Sequence, residues 1–146
     1  VLDLYAGTGS IGIEALSRGA THVTFVEADR DALRLIHSNL RQCGLEQCAN
    51  ICACQVSQFF RRGTQWSGPY DIVFCDPPYL LTPEVITLAT DWRAGWLADN
   101  AVVILEHGRK ADIPSVLGPL SQVKRYDYGD TALTRFHVTP KEAQSA

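Results

Sequence analysis

A glycine-rich segment near the start of the chain limits most strongly what the chain can fold into. Residues 1–5 form a short apolar run, and the turn that follows carries Gly7, Gly9 and Gly12 at GxGxxG spacing. A helical pattern begins at about Ser10, so the segment predicts a strand, a turn and a helix. Glycine lets the backbone approach a ligand closely, and the unpaired N–H groups of a helix start favour electron-rich ligand groups. We therefore expect a nucleotide-binding turn.

An acidic residue at the end of the second predicted strand supports this interpretation. Glu27 follows Gly7 by 20 residues and can accept hydrogen bonds from both hydroxyls of a ribose. Asp3 inside the first strand and Ala6 before the glycines are unlike the usual NAD fingerprint. An NAD-type site and a turn that serves only strand–helix packing remain open alternatives at this point.

Predicted strands and helices alternate along most of the remaining chain. Five strands alternating with helices predict a parallel, doubly wound α/β sheet with right-handed crossovers. Two further strands are joined at Gly129-Asp130 and predict a C-terminal antiparallel hairpin, so we expect seven strands. The remaining predicted elements are strands at about 22–27, 50–54, 70–75, 101–106, 122–128 and 132–138, helices at about 29–43, 57–62 and 83–90, and a short helix or turn near 113–117.

Length and composition favour a single domain. The chain has 146 residues, of which 46% are hydrophobic, and this is enough apolar material for one core. We expect one domain over residues 1–139 and a flexible tail over residues 140–146. No apolar run approaches the roughly 18 residues of a membrane span and no signal peptide is visible, so we expect a cytoplasmic protein. Because the chain has no methionine and Val1 already lies in a strand, we expect an N-terminal extension to be missing.

The net charge and the cysteines bear on two kinds of partner, nucleic acids and metal ions. The formal net charge of −3 argues weakly against nucleic-acid binding by bulk electrostatics, although local basic clusters could still contact RNA. These clusters are Arg61-Arg62, Arg109-Lys110 and Lys124-Arg125. The five cysteines are expected to be free thiols of a reducing compartment, and no metal site is expected.

A second motif, Asp76-Pro77-Pro78-Tyr79, directly follows the fourth predicted strand and resembles the (D/N)PP(Y/F) signature of methyltransferases that modify amino groups conjugated to a planar ring. An exocyclic amine on a base is a poor nucleophile because its lone pair is delocalised into the ring. The Asp76 carboxylate and the Pro77 backbone carbonyl would accept from its N–H groups and favour the pyramidal geometry that frees the lone pair. The prolines hold the backbone in place. Tyr79 can stack on an extruded base, a contact worth roughly 1–3 kcal/mol.

With both motifs in place, the chain resembles the bacterial ribosomal RNA methyltransferases that modify the N2 amino group of one guanine in 16S ribosomal RNA. The resemblance runs from Val1 to about Val138 and is carried by VLDLYAGTGSIGIEALSRGA, FVEADRDA, DIVFCDPPY and GWLADNAVVILEH. It implies a Rossmann-like class I fold, S-adenosyl-L-methionine as cofactor, and a monomer without metal or membrane contact. The implied partner is small-subunit ribosomal RNA, either free or in an assembled particle.

The resemblance also implies functional residues. The catalytic residues would be Asp76, Pro77 and Tyr79, and the cofactor would be bound by Asp3, Ala6, Gly7, Gly9, Glu27, Ala28, Gln55 and Asp76. Many family members carry Asp or Asn where this chain has Gln55, whose side-chain carbonyl could accept from the adenine N6 amino group. The same chemistry on DNA adenine or cytosine, or on a protein glutamine, is the main alternative. An oxidoreductase with a dinucleotide cofactor is the alternative from another class.

Overall fold

The computed structural model describes residues 1–62 and 68–140. The chain folds as two compact units, Val1–Thr64 and Gln65–Ala146. The flexible tail predicted for residues 140–146 lies, apart from Pro140, outside the described residues.

The first unit alternates strands and helices as predicted. Its strands pair in parallel in the order β3-β2-β1, with Asp3 opposite Phe25 and Phe25 opposite Ile51. The elements are β1 (Leu2–Leu4), α1 (Ser10–Ser17), β2 (Val23–Glu27), α2 (Arg30–Cys43), a 3₁₀ turn (Glu46–Cys48), β3 (Ala49–Ala53) and α3 (Val56–Arg62).

Local chemistry explains the limits of α2. The Asp29 side chain accepts from the Ala32 N–H at 2.9 Å and so satisfies a donor of the first turn. Gly44 ends the helix in the left-handed region at φ 66°, where glycine carries no Cβ penalty. Both ends of this helix were predicted and are confirmed.

The core of the first unit lies between β2 and the first two helices. Val23 and Phe25 alternate along β2 onto one face. They pack against Leu16 of α1 and against Ile36 and Leu40 of α2. The glycine-rich turn between β1 and α1 is therefore anchored by buried apolar residues of the elements that surround it.

The second unit begins with two parallel strands and ends in antiparallel strands. The pairs β4–β5 are parallel, and β5–β8, β8–β7 and β7–β6 are antiparallel. The turn Gly129-Asp130 joins β7 to β8, which confirms the C-terminal hairpin. The elements are β4 (Tyr70–Cys75), a 3₁₀ turn (Tyr79–Leu81), α4 (Thr82–Leu88), β5 (Leu97–Gly108), β6 (Val116–Leu117), β7 (Leu120–Tyr128) and β8 (Thr131–Val138).

Two expectations for this unit were wrong in detail. β5 begins at Leu97 rather than at residue 101, because Leu97 already pairs with Tyr70, and a register shift between this pair and the pair Ile72–Val102 accommodates the polar residues Asp99 and Asn100. The helix or turn expected near 113–117 contains β6, which pairs with the start of β7 across the tight turn Gly118-Pro119. The described residues therefore hold eight strands instead of seven, within the predicted α/β fold class.

Candidate active site

The glycine-rich turn of the first unit is held by backbone hydrogen bonds. The Ala6 N–H donates to the Val26 carbonyl at 3.1 Å, and the Gly9 N–H donates to the Ala6 carbonyl at 2.9 Å. Tyr5, the last residue before the turn, has φ 58°, a left-handed conformation that side chains with a Cβ rarely adopt. Such strain persists only where the surrounding structure imposes it, and it concentrates at ligand sites.

The three glycines of the motif have different roles. A Cβ on Gly12 would lie 2.3 Å from the Phe25 ring, so this glycine allows α1 to pack closely on β2. A Cβ on Gly9 would lie 3.2 Å from Ile36, and its φ of 80° also favours glycine. Gly7 has φ 60°, and a Cβ there would meet no described atom within 4 Å. Gly7 is therefore the glycine that borders open space.

Asp3 supports the turn from inside the first unit. It is only 1% exposed, and its Oδ2 accepts from the Gly12 N–H at 3.2 Å. That N–H belongs to the first turn of α1, whose N-cap, Gly9, has no side chain to accept from it. A carboxylate at a helix start also interacts favourably with the helix dipole. The structure thus places Asp3 beneath the turn as a helix-capping residue.

Glu27 is more heavily hydrogen bonded than its predicted role requires. Its Oε1 accepts from the Gly7 N–H at 2.8 Å. Its Oε2 accepts from the N–H groups of Ala28 and Asp29, also at 2.8 Å. Since a carboxylate oxygen has two lone pairs, Oε1 retains a free acceptor site for a ribose hydroxyl. Glu27 therefore holds the glycine-rich turn against the end of β2 and can still accept a hydrogen bond from a ligand.

Gln55 and Ala28 lie exposed at the ends of two neighbouring strands. The Gln55 N–H donates to the Gln58 side chain at 3.2 Å, which satisfies a backbone donor at the start of α3. The Gln55 side chain itself has no hydrogen bond within residues 1–62 and 68–140, so its carbonyl is available to a ligand. Among the proposed cofactor residues of the first unit, Gly7, Glu27 and Ala28 come together through hydrogen bonds, and Asp3 and Gly9 lie buried behind them.

The Asp76-Pro77-Pro78-Tyr79 turn follows β4 in the second unit. Pro77 is buried and Pro78 is exposed, and the Leu81 N–H donates to the Pro78 carbonyl at 2.8 Å to close the turn. Tyr79 is 55% exposed, and its hydroxyl is hydrogen bonded to Thr131 Oγ1 at 3.0 Å. The Tyr79 ring also lies over Gly108, where a Cβ would be 3.7 Å away. The turn thus presents an aromatic ring that is fixed at its edge.

A carboxyl pair stands at the carboxyl ends of β4 and β5. Cys75 is the register partner of Leu105, so Asp76 and Glu106 occupy adjacent positions on neighbouring strands. Partial desolvation, followed by the hydrogen bond and charge repulsion from Glu106, raises the pKa of Asp76 from 3.8 to about 7. The Tyr128 hydroxyl donates to Glu106 Oε1 at 3.3 Å. At neutral pH about half of the Asp76 carboxyl groups therefore carry a proton.

His107 has a structural role. It is fully buried, its Nδ1 lies 2.8 Å from the Gly108 carbonyl, and its Nε2 lies 2.7 Å from Thr134 Oγ1. Because a carbonyl only accepts, Nδ1 carries the proton and Nε2 accepts from the threonine hydroxyl. Burial lowers the pKa of His107, which favours this neutral form.

A groove of about 690 Å³ borders the Tyr79 ring. Arg109 donates to the Gly129 carbonyl at 3.4 Å, whereas Lys110 has no ion pair in the part of the chain that the structure describes. The groove therefore combines an aromatic face with cationic side chains. The lining residues are Tyr79, Thr82, Gly108, Arg109, Lys110, Ala111, Gly129 and Asp130.

Glu106, Tyr128 and Thr131 are the residues that sequence reasoning missed. Each acts through a partner that lies far along the chain, so the local motif carried no signal for them. The register of β4 with β5 could have indicated Glu106, since Asp76 and Glu106 directly follow the paired residues Cys75 and Leu105. In residues 1–62 and 68–140, no group of three or more potential metal-binding side chains comes together, and all five cysteines are free. No helix in these ranges is long and apolar enough to cross a membrane.

Comparison with known proteins gives consistent matches over nearly the whole chain. The sequence profile of the family described as "Conserved hypothetical protein 95" matches residues 1–137. Ribosomal RNA small subunit methyltransferase D of Escherichia coli (strain K12) is 36% identical over 145 residues. That match covers 98% of this chain and 69% of the relative.

Solved structures share the fold. A structure described as a candidate methyltransferase, yhhF, from Escherichia coli aligns with a TM-score of 0.78 and 31% identity. The alignment covers 96% of this chain and 75% of that chain. A second solved structure is an RNA methyltransferase from Salinibacter ruber in complex with S-adenosyl-L-homocysteine. It aligns with a TM-score of 0.62 and 16% identity, and the alignment covers 96% of this chain and 80% of that chain. These likenesses confirm the predicted methyltransferase-type fold.

Proposed function

Since the chain belongs to the conserved hypothetical protein 95 family, a family of ribosomal RNA methyltransferases, we propose that it methylates the N2 amino group of a specific guanine in 16S ribosomal RNA. Methylation of ribosomal RNA with S-adenosyl-L-methionine as cofactor is the activity that this membership supports. The guanine N2 atom as acceptor is the more specific part of the proposal. Its supporting observation is the Asp76-Pro77-Pro78-Tyr79 turn, with a carboxylate and an accessible aromatic ring side by side.

The residues of the first unit fit the proposed cofactor. Gly7 borders open space, so its backbone can be approached closely. Glu27 Oε1 has a free acceptor site for a ribose hydroxyl, and the Gln55 side-chain carbonyl is exposed for the adenine amino group. The bound cofactor supplies an electrophilic methyl group on a sulfonium sulfur. We assign Ala6, Gly7, Gly9, Glu27, Ala28 and Gln55 to its binding, with Asp3 as a support.

The residues of the second unit prepare the nucleophile. Asp76 and the Pro77 carbonyl accept from the two N–H groups of the amine, which localises its lone pair and orients it for attack. Tyr79 stacks on the face of the extruded base, and Thr131 holds the ring in place through the hydroxyl. After the methyl group has been transferred, the nitrogen carries one proton too many. Ionised Asp76, whose pKa is raised to about 7, is suited to take that proton.

Positioning and electrostatics account for this catalysis without a covalent enzyme intermediate. The fold itself does not require a carboxylate at position 76, because this side chain lies at the exposed end of β4. Its presence beside Glu106, despite the repulsion between the two groups, therefore favours a chemical role. Methylation of DNA adenine or cytosine, or of a protein glutamine, is the competing function because these acceptors also carry conjugated amines.

The decisive experiment is methylation in vitro with isotopically labelled S-adenosyl-L-methionine. Small-subunit ribosomal RNA, 30S particles, duplex DNA and a glutamine-containing peptide are offered separately, and the products are digested and analysed by mass spectrometry. We expect N2-methylguanosine from a ribosomal substrate, and far less of it in the same reaction time when the Asp76→Ala variant is used. Labelled N6-methyladenosine, N4-methylcytosine or methylglutamine without N2-methylguanosine would refute the proposed acceptor.

A further inference from the structure

The carboxyl pair at the ends of β4 and β5 offers more than the proposed amine contact uses. Asp76 and Glu106 follow the paired residues Cys75 and Leu105 on neighbouring parallel strands, which lie about 4.8 Å apart. The effect of Glu106 on the pKa of Asp76 agrees with this closeness of the two carboxyl groups. The Tyr128 hydroxyl donates to Glu106 Oε1 at 3.3 Å and so orients this second carboxylate. Two acceptor groups thus stand side by side next to the Tyr79 turn.

The Watson–Crick edges of the bases differ in what they offer to such a pair. Guanine places a ring donor, N1–H, directly beside its exocyclic amine, so it presents two neighbouring donors. Adenine and cytosine place an unprotonated ring nitrogen beside their amine, so they present a donor next to an acceptor. Two ionised carboxylates can satisfy the guanine edge, whereas one of them would face a lone pair on adenine or cytosine. The chemistry of the pair therefore matches guanine.

We propose that Glu106 accepts the N1–H of the target guanine while Asp76 accepts from its N2 amine, so that Glu106 selects guanine among the amino-bearing bases. The inference rests on the proposed function and assigns base selection to a residue outside the Asp76-Pro77-Pro78-Tyr79 motif. Before the base binds, a proton on Asp76 relieves its repulsion from Glu106. When guanine binds, its two N–H donors take over that role and Asp76 releases the proton.

Tyr128 acts as a positioning residue in this arrangement. Its hydroxyl occupies one lone pair of Glu106 Oε1 and leaves the other acceptor sites of the carboxylate available. Tyr128 lies at the end of β7 and Glu106 lies on β5, so the contact spans the intervening strand β8. Removal of the hydroxyl should loosen Glu106 without removing its charge.

The test compares two short RNAs that differ at the modified position, once that position has been mapped. One carries guanosine and the other carries 2-aminopurine riboside, which keeps the N2 amine but has an unprotonated N1. Single-turnover methylation and binding of both RNAs are measured for the wild-type protein, Glu106→Gln and Tyr128→Phe. The 2-aminopurine probe also lacks O6, but this loss is common to all three proteins and cancels when their preferences are compared.

The expected result is a preference that depends on residue 106. Because a hydrogen bond to a charged acceptor is strong, we expect wild-type protein to methylate the guanosine RNA about 10- to 100-fold faster than the 2-aminopurine RNA. In Glu106→Gln, whose amide can donate to an unprotonated N1, the preference should fall below about fivefold. In Tyr128→Phe it should fall by about two- to threefold. S-adenosyl-L-homocysteine binding should stay within about twofold in both variants, which shows that they are folded.

Two outcomes overturn the inference while leaving the proposed function intact. In the first, Glu106→Gln methylates guanosine as fast as wild type. In the second, both RNAs lose activity by the same factor, which means that Glu106 only supports Asp76. If Glu106→Gln does not fold, an unchanged preference in Tyr128→Phe overturns the inference instead. Failure of wild-type protein to methylate guanosine at all would contradict the proposed function itself.

Discussion

The contacts of Glu27 lead to a prediction about stability as well as binding. Replacement by alanine removes three hydrogen bonds, from the N–H groups of Gly7, Ala28 and Asp29, each 2.8 Å long. A hydrogen bond to a charged acceptor contributes about 1.5–3 kcal/mol when it is buried. The Ala28 and Asp29 bonds are exposed and water can replace the carboxylate there, whereas the Gly7 bond is partly buried. We therefore expect Glu27→Ala to lower the free energy of unfolding by about 2–3 kcal/mol.

Urea denaturation and calorimetric titration with S-adenosyl-L-homocysteine measure the two effects separately. A loss of 2–3 kcal/mol corresponds to a fall in melting temperature of about 5–10 °C for a chain of this length. Cofactor affinity should fall by more than tenfold, because the variant loses both the acceptor for the ribose hydroxyls and the hydrogen bond that holds the glycine-rich turn in place. The matched control is Glu27→Gln, whose single amide oxygen can still accept from the Gly7 N–H but cannot serve Ala28 and Asp29 as well.

The ranking of the three proteins tests whether the Gly7 contact holds the turn. Glu27→Gln should retain more than half of the stability that Glu27→Ala loses, because the partly buried Gly7 bond survives. If Glu27→Ala unfolded at the wild-type urea concentration and lost only affinity, the carboxylate would act on the ligand alone. If both variants lost the same stability, the charge and not the Gly7 contact would hold the turn.

The remaining predictions concern other parts of the site. Asp76→Ala should leave S-adenosyl-L-homocysteine affinity within a few fold and slow single-turnover methylation by about 10²–10³. Tyr79→Phe loses one exposed hydrogen bond but keeps the ring, so it should slow methylation less than fivefold. Gly12→Ala should cost about 1–3 kcal/mol in urea denaturation because its Cβ would overlap Phe25. Gly7→Ala meets no described atom but has φ 60°, so it should cost about 1 kcal/mol in backbone strain and, in addition, weaken cofactor binding in calorimetry. Because the pKa of Asp76 is raised from 3.8 to about 7, the folded state binds more protons than the unfolded chain between about pH 4 and pH 7. The stability contributed by this group should therefore fall as pH rises through that window. Glu106→Gln should reduce the slope of the unfolding free energy against pH.

Sequence reasoning was most successful where the determining interactions are local. The ends of α2 follow from Asp29 and Gly44, which act on backbone groups within four residues. The turn between β7 and β8 follows from Gly129, whose φ of 58° suits glycine. The family resemblance and the fold class are confirmed by the comparisons.

The same reasoning failed where distant residues decide the outcome. β6 forms because Val116 and Leu117 pair with the start of β7, which a short apolar segment does not reveal by itself. The carboxyl pair depends on the register of β4 with β5, because Asp76 and Glu106 are 30 residues apart in sequence. The buried position of Asp3 could not be read from the motif, because a carboxylate in a strand is compatible with both ligand contact and helix capping.

The shortness of β6 has a consequence for self-association. β6 pairs with β7 only at Ser121 and Leu120, so within residues 68–140 the rest of that edge of β7 has no strand partner. An uncovered edge invites strand addition from a second molecule. Here the β7–β8 register shifts between Gln122 and Lys124, and the edge carries a Lys124-Arg125 pair close to Asp127. We therefore expect charge and irregular register, rather than burial, to oppose strand addition at this edge, which also exposes the aromatic residues Tyr126 and Tyr128.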